Sequence, residues 1–326
     1  MQFGAFVPQG WRLDLVGIDR SQHWPTMTAV AQTIEGAGYD SLWVFDHFHT
    51  VPVPTQEATY EAWTLMAALA TVTTTVRLGQ MCTCNSYRSP AYLAKVAASI
   101  DVISNGRLEM GIGAGWYEHE YDGYGYEFAK PSVRIGQLGE GVEIMKRMWT
   151  EEVVDFAGEH YQLRGGICQP KPVQEPHIPI WVAGGGEQLT LRVAARHAAY
   201  TNFGQTLDEF VAKSEILRAH CDAVGREYET ITRTSNFTII CAETEADVAE
   251  RVGWMRDHYR PFLSDERLES AMRMYAGTTG TPDQLVEQLL PWKRAGAEYL
   301  IVNFPEAAYD TGGLELFASQ VAPALA

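Results

Sequence analysis

The stretch RLGQMCTCNSYRSPAYLAKVAASIDVISNGRLEMGIGAGW, residues 77–116, reads as a strand, a helix and a second strand. The apolar run ending at Cys82 is short enough for a buried strand. Pro90 stands just inside a helix whose Leu93, Val96, Ala97, Ile100 and Ile103 recur at helical spacing. Asn105-Gly106 closes that helix, because both residues tolerate the left-handed backbone of a helix end. Residues 107–113 then form the next strand. Two strands joined by a helix are the crossover unit of a parallel sheet.

Outward from this unit the rhythm repeats. Upstream lie a strand at 3–8, a helix with Met27, Val30, Ala31 and Ile34 on one face, a strand at 41–45, and a helix around 59–71. Downstream, a helix spans about 134–149 and is followed by an interruption at 151–178, read as a hairpin around Gly158 and a Pro-rich connector. Strands at 178–184, 198–203 and 235–242 then alternate with helices at 186–197, 206–224 and 245–259. A variable stretch runs to about 280, before a helix at 282–295, a strand at 299–305 and a last helix. Eight strands alternating with helices predict a single-domain (β/α)8 TIM barrel over residues 1–326, with insertions after strand 4 and before strand 8. A doubly wound open sheet is the alternative. In a barrel the chemistry sits at the C-terminal ends of the strands, so the residues just after each strand carry the information.

Composition narrows the function. With 25 Lys+Arg against 41 Asp+Glu the formal net charge is −16, which disfavours nucleic acid and anionic membrane surfaces as partners. No basic start followed by an apolar core suggests a signal peptide, and no apolar run is long enough to span a membrane. The five cysteines form no zinc-like set of paired spacings and no even framework of disulfides. The expectation is a cytoplasmic, reduced protein without a metal.

Three strand ends stand out. After the second comes Asp46-His47-Phe48, a carboxylate beside the side-chain type that titrates near neutral pH. After the fourth comes a glycine-rich floor, Gly111, Gly113 and Gly115, beside Trp116, Tyr117 and Tyr121, a setting suited to a planar ring. Its spacing departs from the dinucleotide fingerprint. After the fifth comes Gly184-Gly185-Gly186, read as running into a helix and therefore as a phosphate cradle, although it lacks the Lys-Ser or Lys-Thr of a P-loop.

Together, WVFDHF (43–48), residues 77–116 and IPIWVAGGGEQLTLRVAA (178–195) resemble the bacterial luciferase-like superfamily of flavin and deazaflavin oxidoreductases, across nearly the whole chain. The resemblance implies a non-proline cis peptide at Met81–Cys82, whose bulge supports a tricyclic ring, with Cys84 and Asn85 toward the cofactor edge. It extends the cofactor-binding set to Asp46, Met81, His119, Tyr121 and Gly184 to Gly186, and assigns His47 as the catalytic proton donor or acceptor. Phe45-Asp46-His47 looks like the branch using coenzyme F420, a deazaflavin, rather than the Glu-His-His of the monooxygenase branch. This implies hydride transfer to or from a small alcohol, ketone, imine or enone, in a homodimer. A reduced-FMN-dependent two-component monooxygenase is the runner-up, and a non-catalytic flavin-binding protein is the alternative of another class. Val51 and Trp116 stand where the branch's sugar-phosphate dehydrogenases carry Trp and Glu, which points away from glucose-6-phosphate.

Overall fold

In the computed structural model, which describes residues 1–275 and 278–326, strands and helices alternate along the chain. They run β1 (Gln2–Phe6), α1 (Arg20–Gly36), β2 (Ser41–Val44), α2 (Ala62–Val72), β3 (Arg77–Gln80), β4 (Thr83–Cys84), α3 (Pro90–Ile103) and β5 (Leu108–Gly113). Next come α4 (Glu118–Tyr124), α5 (Pro131–Thr150), β6 (Val154–Ala157), β7 (Gln162–Gly166), β8 (Ile180–Ala183), α6 (Thr190–His197), β9 (Tyr200–Asn202) and α7 (Leu207–Val224). The rest comprises β10 (Thr232–Cys241), α8 (Glu245–Tyr259), α9 (Asp265–Tyr275), β11 (Thr278–Gly280), α10 (Pro282–Arg294), β12 (Tyr299–Asn303) and a terminal helical segment from Gly312. Eight parallel strands close into a barrel ringed by helices, the (β/α)8 fold. They are β1, β2, β3 with β4, β5, β8, β9, β10 and β12. The chain divides into two units, residues 1–61 with 234–326 and residues 62–233.

The second unit holds the 77–116 stretch. Arg107 fastens it: its guanidinium donates to the carbonyls of Ala70 (2.7 Å), Thr73 (3.1 Å) and Val76 (2.9 Å), locking the end of α2 to the start of β5. Asn105 and Gly106 are left-handed, at φ 56° and 80°, and end α3 as their residue types require. Buried Asp101 accepts from the backbone of Val173 (2.7 Å) and Gln174 (3.1 Å), which pins the Pro-rich connector beneath α3. β6 and β7 pair as the expected antiparallel hairpin. Leu78, Leu108, Met110 and Ile180 form one buried row across the strands, and Gly79, Glu109, Gly111 and Trp181 the other.

In the first unit β1 lies between β12 and β2, with Gly4 level with Ile301 and Ser41. Phe3 meets Phe317 edge-on at 5.5 Å, so Phe3, Ala5, Leu42 and Val44 face the helical layer. Gly4, Phe6, Ser41 and Trp43 form the opposite, inner row. Gly4 must be glycine, because a Cβ there would collide with Ser41 Oγ and Trp43 Nε1.

Two expectations are corrected, and one helix was not foreseen. The segment after the fourth barrel strand contains α4, closed by left-handed Gly125; seven residues are too few for a periodic signal. The stretch expected to be variable contains α9, whose Leu268, Ala271 and Met272 pack on Leu13, Ile240 and Tyr259. Residues 276 and 277 of that stretch lie outside the described residues. The helix expected from 186 begins at Thr190, since consecutive glycines are poor helix formers and Gly184 has φ 116°. Among the described residues no helix is long and apolar enough to cross a membrane.

Candidate active site

In the first unit lies His47, the residue expected to handle the proton. Its half-buried imidazole lies flat on the Trp11 indole, with ring centres 4.2 Å apart and planes 2° from parallel. Trp11 in turn meets Phe45 at 4.2 Å, and Phe45 stacks on Phe6 at 4.0 Å. The ladder Phe6–Phe45–Trp11–His47 therefore begins on the barrel strands and fixes the imidazole plane at the end of β2. Gln9 holds the ladder's backbone: its Nε2 donates to Phe45 O at 2.8 Å and its Oε1 accepts from Phe45 N. Adjacent Asp46 is fully covered, at 1% exposure.

In the second unit the Met81–Cys82 peptide is cis, as the resemblance implies, and it separates β3 from β4. Met81 is buried and Cys82 half-buried. A Cβ on Gly113 would lie 2.7 Å from Cys82 Sγ, so the end of β5 stays open only because it is glycine. Gly115 has φ 80°, and a Cβ there would strike the Tyr121 hydroxyl and come within 2.6 Å of Cys84 Sγ. Cys84 Sγ and the Tyr121 hydroxyl are 3.1 Å apart, and burial pushes that phenol well above its ordinary range. Tyr87 donates to buried Glu120 at 2.8 Å, so it too is held as a neutral donor. None of the five cysteines, all among the described residues, forms a disulfide.

Asn85 is fully buried and turns its side chain outward: Nδ2 donates to the Tyr161 hydroxyl at 3.2 Å, and Oδ1 lies against Gly141 of α5. His119 is exposed on α4, at the end of a run of stacked rings through Tyr117 and Trp116.

The glycine run at 184–186 precedes α6 by a turn rather than leading directly into it. The charge beside it comes from α7. A Cβ on Gly185 would be 2.7 Å from Lys213 Nζ, so the α7 lysine lies directly over bare backbone. The loop lines a cavity of about 440 Å³ with Ile135, Gln188 and Leu189. Lys213 was invisible to sequence spacing because it stands on the next helix but one. Trp11 was legible in principle, since it follows the first strand, but a lone Trp carries no motif.

Comparison with known proteins bears on the family and the fold. The sequence profile of the luciferase-like monooxygenase family matches residues 1–299. The pyrimidine monooxygenase RutA of Stutzerimonas stutzeri is 30% identical over 281 residues, covering 82% of this chain and 74% of that one. The F420-dependent glucose-6-phosphate dehydrogenase of Amycolatopsis mediterranei is 25% identical over 303 residues, covering 83% and 86%. Monooxygenase RslO1 from Streptomyces bottropensis superposes with a TM-score of 0.82 over the full length of both chains at 21% identity, a likeness of fold. Family profile, relatives and barrel agree, and the chain belongs to the luciferase-like monooxygenase family of oxidoreductases.

Proposed function

We propose that the protein moves a hydride between coenzyme F420 and a small organic substrate, an alcohol or ketone, an imine or an enone. The observation that carries this reading is the Phe45-Asp46-His47 strand end, with its imidazole clamped flat on Trp11. A flat ring and an anionic tail suit the residues present. Gly113 and Gly115 leave no side chain beside Cys82 and Cys84, and Gly185 leaves none under Lys213. Met81, Cys82 and Cys84 would hold the ring, Tyr121 would brace Cys84, and Asp46 would meet the ring's polar edge. Gly184 to Gly186 with Lys213 would take the phosphate. When bound, the deazaflavin supplies a carbon that accepts or gives a hydride.

The proton is this chain's task. An alcohol carbon releases hydride only as its oxygen gives up a proton, and a reduced ketone must gain one. Imidazole is the ordinary protein group for that transfer near neutral pH. Stacking on Trp11 fixes the plane of the His47 ring, which is the positioning that such a transfer requires.

A second reading is supported by the 30% identical pyrimidine monooxygenase, namely oxygen insertion with reduced FMN supplied by a separate reductase. Titration of the purified protein with F420 and with FMN discriminates. At least tenfold tighter binding of F420 is the expected result. Tight FMN binding with no response to F420 would move the protein to the monooxygenase reading.

A further inference from the structure

Arg12 is a charged side chain at a strand end to which neither the cofactor nor the proton transfer gives a task. The turn that presents it is held in a demanding conformation. Gly10 N–H donates to Asp14 Oδ1 at 2.6 Å, and fully buried Leu13 has φ 63°, a left-handed backbone that leucine rarely adopts. Helix α8 clamps the same turn: the Tyr259 hydroxyl donates to Arg12 O at 3.0 Å, and His258 Nε2 lies 2.8 Å from Leu13 O. Such strain persists only where the surroundings impose it, and it concentrates at ligand sites.

What this turn delivers is a guanidinium in a fixed place. Its carbon lies 5.3 Å from the Trp11 ring centre and 5.0 Å from that of Phe45, and Nη1 donates to Thr238 Oγ1 at 3.0 Å. Phe237 packs edge-on against Trp292 of α10 at 4.8 Å, so its neighbours Asn236 and Thr238 point away from the helices. Asn236 on that inner row is nevertheless exposed, which shows that the row opens to solvent. The guanidinium is therefore aimed at the inner, solvent-reached side of β10. The indole beside it is the one that stacks on His47.

We propose that Arg12, assisted by Thr238, anchors the substrate and selects a small carboxylate. The proposal deepens the functional reading above and rests on it for the reactive site. A guanidinium fork matches a carboxylate in geometry and charge, and its hydrogen bonds to an anion are about twice as strong as neutral ones. Thr238 accepts from Arg12 and keeps its own O–H to donate to the same anion. Trp11 and Phe45 hold the guanidinium against apolar surface, where water screens its charge less than in the open. Because Trp11 contacts both groups, the anchor and the proton-handling imidazole keep a constant separation, which restricts the carbons that can react.

The test is calorimetric titration of the full-length, cofactor-free protein with benzoate and with benzamide, its neutral isostere. Benzoate should bind at least about tenfold more tightly, the range expected for a charge-assisted pair. Arg12→Met should erase that preference, Arg12→Lys should keep part of it, and Thr238→Val should reduce it a few-fold. Thermal melts of each variant show that it is folded, and if Arg12→Met is not, Arg12→Lys and Thr238→Val carry the test. Equal binding of the two probes, binding of neither, or a preference untouched by substitution overturns the proposal. F420 titration of the wild-type protein separates the two readings. Benzoate preference without F420 binding breaks the cofactor assignment alone, whereas F420 binding without benzoate preference breaks the anchor alone.

Discussion

Around His47 every ring has a neighbour, whereas around Cys82 the chain withholds side chains. The first region is built by addition: Phe6, Phe45, Trp11 and His47 stack in sequence, and Gln9 bonds both backbone groups of Phe45. The second is built by omission: Gly113, Gly115 and Gly185 stand where any Cβ would meet Cys82, Tyr121 or Lys213. On the proposed function the difference follows from the tasks. A proton-transfer group must be held at one angle, and dense packing does that. A cofactor the size of a tricyclic ring needs room and close backbone approach, and only glycine supplies both.

If packing serves chemistry in the first region, the largest effect belongs to His47→Ala. Turnover should fall about 100- to 10,000-fold, the usual contribution of a positioned acid–base group. Cofactor affinity should change far less. Measured on one preparation, near wild-type turnover, or cofactor loss as the sole change, would make His47 a structural or binding residue.

The second region should break by filling. In Gly115→Val the new side chain must displace Tyr121 and Cys84 and adopt a left-handed backbone, so stability should drop by about 1–3 kcal/mol. Cofactor affinity should fall with it. Denaturant melts and cofactor titration check both, and an unchanged midpoint would show that the crowding is relieved at no cost.

The frame of the packed region also has a pH signature. Arg251 on α8 bonds Glu306 (3.0 Å) and Asp310 (2.7 Å) in the turn after β12. Burial pushes Glu306 from 4.5 up to about 7, against the pull of Arg251. Because the folded value lies above the unfolded one, this contribution is complete below pH 4.5 and is lost as pH rises through 7. A shift of that size corresponds to at most about 3 kcal/mol. Glu306→Gln should flatten the decline of Tm between roughly pH 5 and 8, and an undiminished decline would assign the slope to other groups.

The smallest effect is expected in the glycine run. Gly185→Val pushes Lys213 aside without disturbing a packed ring, so cofactor affinity should weaken roughly tenfold while the fold survives. Equal affinity in the variant would return the run to the status of an ordinary loop.

Much of this was legible before any coordinates. Residues 77–116 read correctly because the helix and strand periods are long, uninterrupted and closed by Asn105-Gly106. The helix α4 was not legible, since its seven residues, one of them Gly123, hold no repeat. The helix α9 carried a readable pattern in Leu268, Ala271 and Met272, but the polar residues around it obscured the stripe. Asn85 shows the limit at single-residue scale: its place in the chain suggested a cofactor contact, and the bond of its amide to Tyr161, 76 positions on, had no signal in the sequence.

The sequence by itself determined the barrel and the family, and singled out the strand ends worth watching with His47 as a candidate, because periodicity, glycine placement and contiguous motifs are local properties of a chain. Only the tertiary structure decided that Trp11 fixes the His47 plane, that Lys213 covers Gly185, and that Arg12 reaches Thr238. The physical reason is range. These pairs join residues from 28 to 226 positions apart, and no local pattern encodes a contact created when separate strand ends and helices are packed side by side.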